Sequence, residues 1–476
     1  MARNRVILLE FNELCPRLMQ KFMSAGKLPN FSRFHSEAQV HETVADEVAP
    51  NLDPWIQWIT VHSGVPYESH KIQDLGDGHK LAAKNVWDLV SDAGGGVWVC
   101  GSMNLNYHAP IDGWVIPDPW TTKVPPTPDE IAPYFKFVGA NVTEYTSGKA
   151  PVTKLDQAKF VAFMVRHGLS LETTKAIVKQ LAGERIDPKT FWKRAVILDK
   201  LQMDLFCWRF RRAKPQFSTF FLNSTAHFQH LYWRNMEPEL FKVKPSESDQ
   251  AAHKDAILFG YQQMDGLLGR FIELAGSDTT LVFTTAFSQQ PFLAYEDVGG
   301  KTPYRPRDFD QFLTDVGVTA KAKASPVMTH QFHLDFANED QAKQAEAVMA
   351  SLRYEGKQVM AVQRDGAKLF AWCQIYSRVA QDAVVTIEGA SRTLRFFDIF
   401  YHIDLVKSGM HHPEGMLWIR TPDRAHAVHE AKVPLVDVAP TLCRLLDIAP
   451  APTMVGTPLG SPSPNAPTKK AAHVAA

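Results

Sequence analysis

The sequence has few cysteines, and their spacing forms no recognisable pattern. The five cysteines are scattered, odd in number and contain no CxxC motif: Cys15, Cys100, Cys207, Cys373 and Cys443. A disulfide framework and a cysteine-based zinc site are therefore not expected. We interpret the five thiols as buried small hydrophobic side chains and predict a reduced, cytoplasmic protein.

The sequence also lacks a charge excess and a long apolar run. Lys plus Arg and Asp plus Glu both total 51, so bulk charge predicts neither nucleic acid nor an anionic membrane as a partner. The apolar run after Arg5 ends at Glu10, which is too short for a signal peptide or a bilayer span. We expect no membrane span and a small-molecule substrate, either carbohydrate or nucleotide-like. No feature of the sequence indicates an oligomeric state.

Common catalytic motifs are missing as well. The sequence contains no P-loop, no GxSxG and no HExxH. Gly94 to Gly96 follow a predicted helix and precede a strand, the reverse of the order in a phosphate-binding loop, so we interpret them as a helix stop.

What the sequence does contain is strand–helix alternation around the stretch from Val6 to Glu13. Four apolar residues there predict a strand buried on both faces, and polar residues follow it. Further buried strands are predicted at 97–100, 217–222 and 280–285, with helices between them. We predict an α/β fold with a mostly parallel sheet sandwiched by helices, and ligand binding at the carboxyl ends of the strands.

Two segments interrupt this alternation and predict insertions. Residues 117–150 are rich in proline and read as irregular, and residues 153–213 read as helical with many basic residues, most simply a solvated face. Residues 330–375 predict a small α+β unit. The expected division is a core of residues 1–120, 215–295 and 396–460, a helical cap at 121–214, an α+β subdomain at 296–395 and a disordered tail at 461–476.

Polar residues gather on the loops that follow the predicted strands. There are twelve of them: Glu10, Asn12, Glu13, Asp53, Gln57, His62, His227, His230, Gln289, Gln290, His411 and His412. Burying so many polar groups without partners is costly, about 1–3 kcal/mol each. They therefore suggest either a ligand site or a hydrated, inert cleft.

Several segments, taken in order, resemble the alkaline phosphatase superfamily, and in particular its type I phosphodiesterase/nucleotide pyrophosphatase branch. The segments are the first strand 6–13, the loop 26–30, the segment 63–72, the helix 85–94, the segment 410–417 and the closing helix 436–446 with the loop 454–459. The match covers both ends and the core strands but neither insertion. It implies an alkaline-phosphatase-like fold and hydrolysis of phosphate or sulfate esters by two divalent metals and a Thr or Ser nucleophile.

Most of the functional residues that the resemblance implies are substituted here. Asn12 stands at the position of the first Asp ligand, Ala226 replaces the Asp that pairs with His230, and Thr285 and Ala286 replace an Asp-His pair. The nucleophile position falls near Asp53 or Pro54. His230 and His411 remain, so we expect these two imidazoles and the Asn12 amide to hold at most one divalent metal (Zn or Mn), unless Glu10, Glu13 or Asp53 joins them.

Three functional hypotheses follow. The first is a divergent hydrolase or transferase of a phosphoryl, sulfuryl or glycosyl ester. Its catalytic residues would be Asp53, Glu10 and His411, and its substrate-binding residues Asn12, Gln57, His227, Gln289 and His412. The second is an inactive relative that binds an anionic or carbohydrate ligand or serves as a scaffold. The third is a metal-free acid–base enzyme, which a bell-shaped pH–rate profile insensitive to chelators would favour.

Overall fold

The computed structural model describes residues 4–147, 153–327, 330–403 and 406–460. The first part of the chain alternates strands and helices, as the sequence predicts. Its strands are β1 (Arg5–Phe11), β2 (Gln39–Val44), β3 (Val97–Cys100) and β4 (Gly113–Ile116). Its helices are α1 (Pro16–Ser24), α2 (Pro29–Ser36), α3 (Pro54–Ser63), α4 (Tyr67–His70) and α5 (Val86–Asp92).

A helical cap follows. Its helices are α6 (Ala132–Ser147), α7 (Lys154–Arg166), α8 (Leu171–Ile186) and α9 (Ala195–Ala213). Residues 117–150 were expected to be irregular, which was wrong for their second half: α6 begins at Ala132, soon after the proline-rich segment. The prolines end before this helix apart from Pro133, which lies in its first turn, where proline is tolerated.

The chain then returns to the core. The elements of this part are β5 (Phe217–Leu222), α10 (Ser224–Met236), α11 (Glu247–His253), α12 (Ala256–Ala275), β6 (Thr279–Thr284) and β7 (Ser288–Pro291). The single helix predicted from residue 251 to 275 is in fact two helices, α11 and α12, separated at Lys254 and Asp255.

The α+β subdomain has its own sheets and core. Its strands are β8 (Tyr304–Pro306), β9 (Ala322–Pro326), β10 (Phe332–Phe336), β11 (Leu352–Tyr354), β12 (Lys357–Gln358), β13 (Met360–Asp365), β14 (Lys368–Cys373), β15 (Val384–Ile387), β16 (Thr393–Arg395) and β17 (Phe400–His402). Its helices are α13 (Phe309–Val316), α14 (Glu339–Ala350) and α15 (Phe396–Ile399). Two antiparallel four-stranded sheets enclose a separate apolar cluster that includes Phe332, Leu369 and Phe396.

The chain closes on the core with β18 (Gly409–His412), β19 (Glu414–Arg420), β20 (Ala427–Val428), β21 (Val433–Pro434) and α16 (Val438–Leu446). The tail predicted to be disordered, residues 461–476, lies outside the described residues. Within the described part of the chain, no helix is both long and apolar enough to cross a membrane.

The main sheet has the strand order β20-β2-β19-β6-β1-β5-β3-β4, and β21 also pairs with β2. All of its pairings are parallel except those of β19, which runs antiparallel to both β2 and β6. Helices cover both faces, because β1 is apolar on each: Val6 and Leu8 pack towards α3 and α16, and Ile7 and Leu9 pack towards α12. The expected α/β class, with its mostly parallel sheet, helical insertion and α+β insertion, is confirmed.

Candidate functional site

The candidate site lies where three neighbouring parallel strands end. β1 lies between β5 and β6 and runs parallel to both, so the carboxyl ends of the three strands meet at one edge of the sheet. Asn12 and Glu13 follow β1, Asn223 follows β5 and Thr285 follows β6. These are the loops on which the sequence analysis placed the polar candidates.

Glu13 adopts a backbone conformation that is uncommon for a residue with a side chain. Its φ is +60°, in the left-handed region, and its peptide N–H donates to the carbonyl of Thr285. Such a conformation costs about 1 kcal/mol or more and concentrates at functional positions. It turns the chain sharply out of β1, and the Glu13 side chain is 2% exposed.

His230 is positioned by α10, the helix that begins immediately after β5. Its Nδ1 lies 2.9 Å from the carbonyl oxygen of Gly409. A carbonyl only accepts, so Nδ1 carries a hydrogen, and in the neutral ring Nε2 then carries the lone pair. That Nε2 lies 3.1 Å from the Glu13 Oε2 atom.

His411 is positioned by a two-stranded antiparallel ribbon formed by β7 and β18, in which it pairs with Gln289. The His411 Nδ1 atom lies 2.6 Å from the carbonyl oxygen of Leu52, which fixes this imidazole in the same tautomer as His230. Its Nε2 lies 3.6 Å from Glu13 Oε2. The two imidazole rings are 5.2 Å apart, at an angle of 70°.

Glu13, His230 and His411 therefore place three potential ligand atoms close together. One ligand atom from each residue lies within 4.8 Å of the other two. Metal-ligating histidines ordinarily donate their second N–H to a carbonyl or carboxylate, as both histidines do here. We call these three residues the triad.

The protonation states of Glu13 and His411 suit a cation. Burial alone would raise the pKa of Glu13, but His411, His230 and the Gln289 amide outweigh it and hold that pKa at about 2. Burial lowers the pKa of His411 to about 3, although Glu13 acts in the opposite direction. Near pH 7 the carboxylate is therefore ionised and this imidazole is neutral, which is the state that a metal ligand requires.

Two buried amides hold the Glu13 carboxylate in place. Asn12 donates to Glu13 Oε1 over 2.8 Å, and Gln289 donates to Glu13 Oε2 over 2.5 Å. Asn12 also donates to Asn223 and accepts a hydrogen bond from the Trp58 indole, so its amide is fully engaged. Neither amide lines the cleft, and both bond the Glu13 carboxylate instead.

Asp53 and Lys407 border the triad on the cleft side. Asp53 is the residue before α3, and its Oδ1 lies 3.4 Å from His411 Nδ1. Burial raises the pKa of Asp53 to about 7, Lys407 opposes this rise and Glu13 adds to it. Burial lowers the pKa of Lys407, while Glu13 and Asp53 counteract the effect.

His227 and a buried Ser–Asp pair lie on the other side of the site. His227 lines the cleft from α10, and burial together with His230 lowers its pKa to about 4. The Ser224 hydroxyl donates to the Asp199 carboxylate over 2.5 Å. Burial raises the pKa of Asp199 to about 7, and the hydrogen bond from Ser224 moderates the rise.

The triad opens into a cleft of about 2250 Å³ formed by all three parts of the chain. The cap contributes an apolar wall that includes Phe160, Ile177 and Trp192. The α+β subdomain contributes a polar wall that includes Lys301 and His330. Both insertions cover the site, so a ligand at the triad would contact surfaces of opposite character.

Three of the sequence candidates lie elsewhere. Glu10 is fully buried and pairs with His62 across the other face of the sheet, where it cannot reach a ligand in the cleft. Gln57 is fully buried and donates to the Asn51 carbonyl over 3.4 Å. His412 follows His411 on β18, so its side chain alternates away from the triad, and it does not line the cleft.

From the sequence, Glu13 was predicted only as one of three acids that could join a metal site, and Lys407 was not predicted. The signal for Glu13 was its position directly after Asn12 at the end of the first strand. That position alone did not decide between Glu10 and Glu13, because the turn at Glu13 that aims its carboxylate is a tertiary feature. Lys407 stands near His411 in sequence, but a lone lysine in a loop carries no comparable signal.

The comparisons with known proteins give fold likeness alone. The sequence matches no protein-family model and no curated protein. Two solved structures of murine ectonucleotide pyrophosphatase/phosphodiesterase 5 are similar to the chain, one of them an inactive variant in complex with AMP. That complex is 11% identical, with a TM-score of 0.42 over 94% of this chain and 96% of the other. The second structure is 10% identical, with a TM-score of 0.41 over the same shares.

Proposed function

We propose that this protein is a hydrolase of phosphate esters that uses one divalent metal ion, Zn²⁺ or Mn²⁺, held by Glu13, His230 and His411. The observation that carries the proposal is the convergence of three lone-pair atoms within 4.8 Å, with both imidazole tautomers fixed by backbone carbonyls. One carboxylate and two imidazoles are a donor set that Zn²⁺ accepts in hydrolytic sites. When bound, such an ion supplies Lewis-acid stabilisation of negative charge on a phosphoryl oxygen.

The chain's own residues supply the rest of the chemistry. Asp53 presents a carboxylate on the cleft side of His411, where it can accept a proton from an attacking water or attack phosphorus itself. Lys407 places a positive charge beside Asp53 and Glu13, where the anionic ester group must lie. Asn12 and Gln289 keep the Glu13 carboxylate in one orientation.

Metal content and turnover together test this proposal. The purified protein, after incubation with Zn²⁺ or Mn²⁺ and removal of the excess, should retain about one ion per chain. Glu13→Gln, His230→Ala and His411→Ala should each lower that content at least tenfold. His412→Ala removes a neighbouring imidazole outside the cleft and is the matched control. Asp53→Asn should keep the metal and lose turnover of aryl phosphate mono- and diesters by 100-fold or more.

The second candidate is a catalytically inactive ligand-binding protein. It is favoured by the fact that the Glu13 carboxylate has partners without a metal. Amides donate hydrogen bonds to both of its oxygens, and a protonated His230 would donate a further one to Oε2. It predicts thermal stabilisation by a ligand such as AMP with no product formed. A protein that binds no metal and turns over no ester would overturn the hydrolase proposal, whereas turnover abolished by His411→Ala would overturn the binding protein.

A further inference from the structure

The polar wall of the cleft contains two cations and a buried imidazole to which the proposed metal chemistry assigns no role. Lys301, Arg305 and His330 all line the cleft from the α+β subdomain. Arg305 and His330 are buried, with 2% and 6% of their surface exposed, and Lys301 is partly buried. We call these three residues together with Lys407 the cation cluster.

Tyr376 holds two members of the cluster together. The Lys301 ammonium lies 4.2 Å from the centre of the Tyr376 ring, and the His330 Nε2 atom lies 3.5 Å from the Tyr376 hydroxyl. The segment is fixed by a hydrogen bond from the Thr302 amide to the Tyr376 carbonyl. Lys301 and His330 are therefore placed by the fold, not left to move freely in solvent.

His330 has a buried nitrogen with no hydrogen-bond partner among the described residues. The Tyr376 hydroxyl lies 3.5 Å from Nε2, and Nδ1 makes no hydrogen bond to a described residue. A buried polar atom without a hydrogen-bond partner costs about 1–3 kcal/mol, so such atoms are normally satisfied by a ligand or water. This one belongs to a residue that lines the cleft.

The surroundings of His330 are cationic. The charges that act on it are those of Lys301, Arg305 and Lys407, which lower its pKa together with burial. Among the described residues, neither Lys301 nor Lys407 forms a salt bridge within 4.0 Å. Lys301 and Lys407 repel one another. Glu13 and Asp53 partly offset the charge of Lys407, and an anion bound beside the two lysines would relieve the remaining repulsion.

Lys407 connects the cluster to the triad. Its charge acts on His330 on one side and on Asp53 and His411 on the other. An anion bound at the cluster would therefore lie in the same cleft as the reacting group and within electrostatic reach of it.

We propose that Lys301, His330 and Lys407, supported by Arg305, form a second anion-binding subsite that receives a phosphate or carboxylate group of the substrate distinct from the group at the triad. The identification of the occupant as the substrate rests on the proposed function, but the subsite itself does not. The implied substrate class is an ester that carries at least one further anionic group along the polar wall.

Binding of inorganic phosphate to chelator-treated protein tests the subsite without the metal. Calorimetric titration near pH 7 should show saturable binding to the full-length chain. Lys301→Gln and His330→Phe should each raise the Kd for phosphate tenfold or more. Lys301→Arg keeps the charge and should stay within about threefold, and Lys323→Gln, an exposed lysine of the same subdomain outside the cleft, should leave Kd unchanged.

Stability measurements guard against misfolding of the variants. His330→Phe removes the unpartnered Nδ1 atom and a long contact with the Tyr376 hydroxyl and inserts an apolar ring of similar size, so its thermal midpoint should stay close to that of the wild type. Absence of saturable phosphate binding to the wild type, or binding that Lys301→Gln leaves unchanged, overturns the subsite.

A kinetic arm separates this proposal from the hydrolase proposal. With metal-loaded protein, Lys301→Gln should raise KM for an aryl diester bearing an additional phosphate and leave kcat, and KM for the plain diester, unchanged. Phosphate binding without any turnover would reject the hydrolase and keep the subsite. Turnover without phosphate binding, and with the same KM for both esters in Lys301→Gln, would reject the subsite and keep the hydrolase.

Discussion

The Glu10 carboxylate and the His62 imidazole form a buried pair, with 2.9 Å between Glu10 Oε1 and His62 Nε2. Trp58 and Trp87 flank His62, and neither member of the pair reaches the cleft. The Glu10 Oε2 atom has no hydrogen-bond partner among the described residues. An acid that sequence reasoning placed in the catalytic machinery is therefore part of the core between β1 and α3.

Removal of one partner of this pair should destabilise the fold. His62→Leu leaves the Glu10 carboxyl buried without a partner and should lower the free energy of unfolding by about 3–5 kcal/mol. The double variant Glu10→Leu/His62→Leu should recover most of the loss, because neither polar group is then left unpaired. Urea denaturation of the three proteins measures the effect. Retained metal content in the double variant would agree with a structural role, and its loss would contradict that role.

Asn12 offers a test of electrostatics beside the triad. Asn12→Asp replaces an amide that donates to Glu13 Oε1 over 2.8 Å by a carboxylate that repels it. The metal-free variant should therefore be less stable than the wild type by about 1–3 kcal/mol. Added Zn²⁺ or Mn²⁺ should stabilise Asn12→Asp more than the wild type, because a cation compensates the added charge. Thermal unfolding with and without metal measures both effects, and equal metal shifts would contradict this explanation.

The buried Asp199 should make stability depend on pH. Its pKa is raised to about 7 in the folded state, mainly by burial, against 3.8 for the unperturbed group. Between these two values the folded state binds more protons than the unfolded state, so its contribution to stability falls as pH rises from about 4 to about 7. Asp199→Asn should abolish this fall, with an effect on the order of 4 kcal/mol by pH 8. The free energies of unfolding of both proteins at pH 4 and pH 8 measure it.

Asp204 provides a control for that experiment. It is equally buried on α9 but pairs with Arg270 at 3.1 Å. Asp204→Asn should destabilise the protein at pH 8, since it breaks an ion pair and leaves Arg270 without its partner. A gain in stability at pH 8 from both substitutions would show that the effect is not specific to Asp199.

Metal removal should have a measurable thermodynamic effect. A ligand present at 100 times its Kd stabilises the folded state by about 2.7 kcal/mol. Chelator treatment should lower the thermal midpoint of the wild type and leave that of Glu13→Gln unchanged. Sodium or calcium added back should not restore the midpoint, because imidazole ligands favour Zn²⁺ over these harder cations. An identical response of the two proteins to the chelator would place the metal elsewhere.

The layered architecture could be predicted well from the sequence, because the spacing of apolar residues and the local composition determine where strands and helices form. The strand at 217–222 and the helix after Asp53 and Pro54 were read correctly from an apolar run and a helix-start signal. The orientation of side chains at the strand ends could not be read in this way. Whether Glu10 or Glu13 faces the cleft depends on the left-handed turn at Glu13. The cation cluster could not be predicted from the sequence either, because its residues come from segments that are far apart along the chain.

The triad draws its three residues from positions 13, 230 and 411, with the whole α+β subdomain inserted between the last two. Residue 13 leaves the ribosome long before residue 411, so a growing chain that still lacks residue 411 cannot bring all three side chains together. Capture of the proposed metal would thus follow the synthesis of both insertions. It cannot serve as a template on which the earlier segments fold.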